Sequence, residues 1–155
     1  MRLKSILVTT LLTAAIAGSA LAAFPGDDDK EAADIFSAIQ DIRYTVEADP
    51  DFRTYKNVVF KANVALIKYD EKHAYSSING KLLDQMMKPY KDALDVWTYA
   101  IENRTGFYPD YTHKLASEYN IPILFTIDGA DALDTGAALK AMFDYAKDIE
   151  YTYNT

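Results

Sequence analysis

The sequence predicts an all-α protein: an antiparallel four-helix bundle with a short extra helix and an extended connection before the last helix. Two observations carry this. Four long stretches repeat apolar residues at three- and four-residue spacing, the pattern of helices that bury one face. Short loops join most of them, which suits antiparallel neighbours, while residues 105–133 form an elaborated connection.

The first helix is expected over about residues 29–48, with Ala32, Ile35, Phe36, Ile39, Ile42 and Val46 on one face, ending before Asp49-Pro50. Asp49 or Asp51 can cap the second. Its seam, Phe52, Tyr55, Val59, Ala62, Leu66, Tyr69 and His73, has the alternation of helices packed at a shallow angle. Val58, Phe60, Val64, Ala65 and Ile67 add apolar residues beyond that seam, which marks this helix as a central or partner-contacting one.

The third helix, from about Asn79 to Gly106, holds the only tryptophan. Leu83, Met86, Tyr90, Ala93, Trp97 and Ala100 form its stripe, and Asp84, Lys88, Lys91, Asp92, Asp95 and Glu102 read as its solvated face. Pro89 removes a backbone donor without shifting the stripe, so a kinked single helix is expected, with any cavity between Met86 and Ala93. Asp110 is placed to cap a short helix from Tyr111 to Tyr119. Residues 121–127 are β-prone but have no evident partner, so an extended segment over the bundle is expected, turned by Asp128-Gly129. The last helix starts near Asp134, with Leu139, Met142, Ala146, Ile149 and Tyr153 on its seam.

At the amino terminus, Arg2 and Lys4 precede an uncharged apolar run, and Ala20-Leu21-Ala22 supplies the small residues a signal peptidase inspects. A cleaved signal over residues 1–22 is expected, leaving one helical domain over 23–155 and a periplasmic or secreted location. An uncleaved anchor is the competing reading. Residues 5–24 approach the roughly 20 residues a bilayer span needs, but Ala, Thr, Ser and Gly make the run weakly hydrophobic.

The formal charge is −7, and cleavage after Ala22 takes it to −9 by removing Arg2 and Lys4 and no acid. Such a field disfavours nucleic acid and anionic lipid and favours basic partners. The absence of cysteine excludes disulfides, a cysteine nucleophile and thiolate metal sites. Asn103-Arg104-Thr105 matches a glycosylation acceptor at a helix end. Asp27-Asp28-Asp29 suits a helix amino terminus better than a metal site.

Asp134-Thr135-Gly136-Ala137 resembles the active-site tetrapeptide of retroviral-type aspartic proteases. That chemistry needs two aspartates braced by strands, and the chain has one copy of the motif, which a helix cap also explains. Asp70 and His73, three apart on a helix, could supply part of a metal site, though His73 also continues the seam. Asp128, Asp131 and Asp134 lack the ligand alternation of a calcium loop. No phosphate loop, nucleophile elbow or di-iron pattern is present, and no cofactor or metal is expected.

Tyrosine is unusually frequent, at twelve residues. Phe107, Tyr108, Tyr111 and Tyr119 gather in the irregular connection, where apolar rings with wet hydroxyls favour an interface. The expected function is binding, as an inhibitor, immunity or accessory protein with a protein partner. The alternatives are a small-ligand carrier with a pocket near Trp97, and an aspartic or metal-assisted hydrolase using Asp134, or Asp70 with His73.

Overall fold

The computed structural model describes residues 30–73 and 77–153; the signal expected over residues 1–22 and Asp27-Asp28-Asp29 lie outside them. The chain folds as α1 (Lys30–Glu47), α2 (Phe52–His73), α3 (Ile78–Asn103), β1 (Phe107–Tyr108), α4 (Thr112–Tyr119), β2 (Phe125–Ile127), β3 (Ala130–Asp134) and α5 (Thr135–Tyr153). The four long helices form the bundle and α4 is the short extra one. Among the described residues, no helix is long and apolar enough to cross a membrane.

The core forms largely from the stripes the sequence marks, except that on α3 Val96 is buried while Trp97 and Ala100 are only half-buried. Ile35, Phe36, Ile39 and Ile42 of α1, Tyr55, Val59, Leu66 and Tyr69 of α2, and Leu83, Met86, Met87, Tyr90 and Val96 of α3 are all buried. Burying such side chains contributes about 1.5–3 kcal/mol each before chain entropy opposes it. The central helix is α3, which packs on α1, α2 and α5. The second apolar side of α2 remains open, with Phe60 65 % and Ile67 44 % exposed.

Helix ends follow local chemistry. Asp51, not Asp49, caps α2: its Oδ1 accepts from the Thr54 N–H at 2.8 Å, and this bond holds the carboxyl below its ordinary range. Ser77 caps α3 by accepting from the Gly80 N–H at 2.9 Å. At the other end of α3 the left-handed position falls on Arg104 (φ 50°) rather than on Gly106. Pro89 lies buried within α3, which continues through it as one helix and not two. The cavity beside it, about 350 Å³ and lined by Gln85, Lys88, Glu118 and Tyr145, opens towards α4 and α5, whereas Met86 and Ala93 are fully buried.

Gly80 is pinned between two side chains. A Cβ there would stand 2.6 Å from Asp70 Oδ1 and 2.7 Å from the capping Ser77 Oγ. Alanine gains about 1 kcal/mol in helix propensity, but crowding costs about 1–3 kcal/mol and the loosened cap about 1 kcal/mol. Gly80→Ala is therefore expected to lower the unfolding free energy by about 1 kcal/mol or more, as measured by urea denaturation.

The expectation of an unpartnered extended segment at 121–127 is corrected. β2 pairs antiparallel with β3, and β3 pairs with β1, giving the order β1-β3-β2. Asp128 (φ 52°) and Gly129 (φ 82°) both take positive φ between the paired Ile127 and Ala130, the geometry of a tight two-residue hairpin. Alternation along β3 turns Leu133 to the bundle, where it is fully buried, with Tyr108 paired beside it. Phe107 and Phe125 share the other face, and their rings meet edge-on at 4.9 Å.

α5 is also rotated from the expected seam. Ala138, Met142, Ala146 and Glu150 are its fully buried positions, while Leu139 and Ile149 are half-buried. A carboxylate therefore occupies a core position, held by Arg43 Nη1 at 3.0 Å and by the Tyr90 hydroxyl, which donates at 2.7 Å. The Tyr55 hydroxyl in turn donates to the Tyr90 carbonyl at 2.8 Å. Burial pushes the Glu150 carboxyl above its ordinary 4.5, against the pull of Tyr90 and Arg43.

Candidate partner-binding site

The face of α3 that reads as solvated is partly covered, because β1 packs on it and α4 reaches it through Glu118 and Tyr119. Lys88 Nζ sits 2.6 Å from Asp92 Oδ2 and 2.5 Å from Glu118 Oε1 of α4. The Tyr119 hydroxyl donates to Asp92 Oδ2, and the Tyr119 ring lies beneath Lys88 Nζ and edge-on to Tyr145 at 5.2 Å. Burial draws the Lys88 ammonium down, but its bonds to Asp92 and Glu118 prevail and hold it above the ordinary lysine range. This cluster fastens α4 to α3.

Between that clamp and the sheet lies a cleft of about 180 Å³, lined by Asp92, Asp95, Tyr108, Tyr111, Lys114 and Leu115. Asp95 and Asp92 come from successive positions on one side of α3. Burial raises the Asp95 carboxyl above its ordinary value, and the negative charge of Asp92 adds to this. Tyr108 is only 7 % exposed, packs edge-on against Tyr99 at 5.3 Å, and is pushed up to about 12, first by burial and then by Asp110 and Asp95.

Tyr111 is the unusual residue. It is 74 % exposed, and its backbone is left-handed (φ 51°, ψ 23°), a conformation costing a bulky L-residue about 1–2 kcal/mol. It occupies the N-cap of α4 without a side-chain cap bond, so the expected Asp110 cap does not form and the helix begins at Thr112. The surroundings impose this geometry. The Thr112 hydroxyl shares its one hydrogen between Pro109 O at 2.8 Å and Asp131 O at 3.0 Å, and His113 Nε2 lies 3.1 Å from Asp131 Oδ2. The start of α4 is thus fixed to β3, and Tyr111 is presented outward at the cleft.

The five aromatic residues singled out in the sequence do not form one surface. Tyr108 and Tyr111 line the cleft, Tyr119 belongs to the clamp at 5 % exposure, and Phe107 packs on Phe125. Trp97 faces α2, with its ring 5.7 Å from Phe52 and 5.4 Å from Tyr55. Asp92, Asp95 and Lys114 join the site although the sequence does not single them out. The spacing of Asp92 and Asp95 on the helix face opposite the stripe was the available signal, but nothing local shows that β1 and α4 return to it.

The remaining sequence candidates have structural contacts. Asp134 Oδ1 accepts from the Ala137 N–H at 2.8 Å, the cap geometry expected. Asp70 is 5 % exposed, against the start of α3, and burial raises its carboxyl. His73 stacks on Tyr69 at 4.3 Å and lies 3.2 Å from Glu31 Oε2. Asn103 is exposed at the end of α3 and donates through Nδ2 to Tyr99 O. No group of three or more His, Cys, Asp or Glu side chains gathers at one point among the described residues.

No known family matches the sequence, and no curated protein or solved structure is significantly similar to it. Function is therefore read from the chemistry of the site itself.

Proposed function

We propose that the protein acts by binding rather than catalysis, as an exported inhibitor, immunity or accessory protein that holds a basic partner at the Tyr111 cleft. The observation carrying this reading is Tyr111: exposed, conformationally strained, and set over a hollow that contains two carboxylates. A lysine or arginine side chain fits such a site. Its charge meets Asp95, with Asp92 already engaged by Lys88 and Tyr119, and the faces of Tyr111 and Tyr108 attract a cation that approaches them. Lys114 at the rim disfavours a lone cation placed on that side, so a side chain entering from the Asp95 side is the better match. The net charge of −7 brings basic partners to the surface at a raised rate. Export rests on the amino-terminal sequence.

The test uses a fluorescently labelled arginine-glycine peptide and its anisotropy. Tyr111→Ala is expected to weaken binding about tenfold, in keeping with a partly desolvated cation–aromatic contact. Asp95→Asn should weaken it several-fold, and Asp148→Asn, an exposed acid on α5, should leave it unchanged. Equal affinities for all four proteins would sink the proposal.

A further inference from the structure

We infer that the outer face of α2 docks on an anionic phospholipid surface, so that the protein is peripheral to a membrane. The face is built at helical spacing. Phe60, Val64 and Ile67 follow one another at steps of four and three, on the side of α2 opposite the buried Tyr55, Ala62, Leu66 and Tyr69. Phe60 is 65 % and Ile67 44 % exposed. Arg53, Lys56, Lys61 and Lys68, all exposed, flank this ridge. Lys72 is engaged by Glu31 at 2.6 Å and is not needed for the patch. Glu71 is the one exposed acid within α2, since Asp70 is buried.

An apolar ridge edged by long basic side chains is the pattern of helices that lie in a membrane interface. The rings and aliphatic tips enter the acyl boundary, while lysine stems extend their ammonium groups to the phosphates. The net charge of the whole chain argues the other way only at long range. At physiological ionic strength charges beyond about 8 Å are screened, so the local excess of Arg53, Lys56, Lys61 and Lys68 decides the contact.

Two other occupants fit less well. A second copy joined through the same face would bring two sets of these four cations together. An acidic partner helix would meet a convex single-helix ridge and bury little area, whereas a bilayer surface covers the whole ridge.

The chain has no cysteine, so a single Phe60→Cys substitution can carry an environment-sensitive dye. The probes are vesicles of phosphatidylcholine alone and of phosphatidylcholine with about one quarter phosphatidylglycerol. The dye at position 60 is expected to shift to the blue on the anionic vesicles only, and a dye placed by Lys140→Cys on α5 should not shift. Unlabelled protein should sediment with the anionic vesicles. Lys61→Glu with Lys68→Glu should weaken this about tenfold or more, and Phe60→Ser with Ile67→Ser should also reduce it, while both doubles keep the wild-type circular dichroism because the altered side chains are exposed. Raising the salt to about 0.5 M should release the protein. Equal binding to both vesicle types, binding insensitive to both double substitutions, or no binding would overturn the inference. So would an acidic amphipathic peptide shifting the position-60 dye where vesicles do not, or dimerisation lost in Phe60→Ser with Ile67→Ser.

Discussion

Arg43→Met is expected to lower the unfolding free energy by about 3–5 kcal/mol near neutral pH, one of the two largest effects of any single substitution considered. Glu150 is fully buried on α5 and its charge is balanced by Arg43 on α1. Methionine keeps most of the packing volume but leaves the carboxylate uncompensated. The cost depends on pH with a definite sign. Glu150 titrates above its ordinary 4.5 in the folded state, chiefly through burial, so the folded protein holds this proton more tightly than the unfolded chain. The stability attached to it is complete below the unfolded value and is lost as pH rises through the folded one. Removing Arg43 widens that window upward. The difference between wild type and variant should therefore be small at about pH 4.5 and grow towards about pH 8, and Glu150→Gln in the Arg43→Met background should flatten it. Urea denaturation of the three proteins across this range measures both the size and the slope. A cost independent of pH would place the effect in lost packing instead.

Leu133→Ala is expected to cost about 3 kcal/mol and to loosen the cleft as well. Leu133 is fully buried on the bundle side of β3, directly paired with Tyr108 of β1, so it joins the small sheet to the helices. The sheet has few other large anchors, since all three residues of β2 are exposed. Hydrogen exchange should rise most between residues 107 and 134, with α1 and α2 changing less. Because Thr112 fixes the start of α4 to β3 through Asp131, the variant should also bind the arginine-glycine peptide more weakly at a temperature where it is still folded.

The bundle was legible because each long helix declares its buried face within two or three turns. Tyr55, Val59, Ala62 and Leu66, or Leu83, Met86 and Tyr90, need no partner to be recognised as core. The hairpin was not legible. Ala130 to Asp134 alternates small, acidic and apolar residues and lacks the β-branched and aromatic residues that announce a strand, and its second partner is only the two-residue Phe107–Tyr108. Glu150 was hidden for another reason: an acid on an amphipathic helix reads as solvent-facing unless its counter-charge, here 107 positions away on α1, is already known. The clamp of Lys88, Asp92, Glu118 and Tyr119 has the same character. Lys88 and Asp92 look like an ordinary surface pair until α4 folds over them. Of the site, Tyr108 and Tyr111 could be picked from the sequence as aromatic residues in a connection. That Tyr111 is strained and lines the same hollow as Asp95 depends on contacts between α3, α4 and β3 that no local pattern encodes.

The most direct test of the binding account is where a basic peptide sits. In an isotope-labelled sample titrated with the arginine-glycine peptide, backbone amide shifts should concentrate at Asp92, Asp95, Tyr108, Tyr111, Lys114 and Leu115, saturate together, and need about tenfold more peptide in Tyr111→Ala. Shifts scattered over the acidic surface and unchanged by Tyr111→Ala would contradict it.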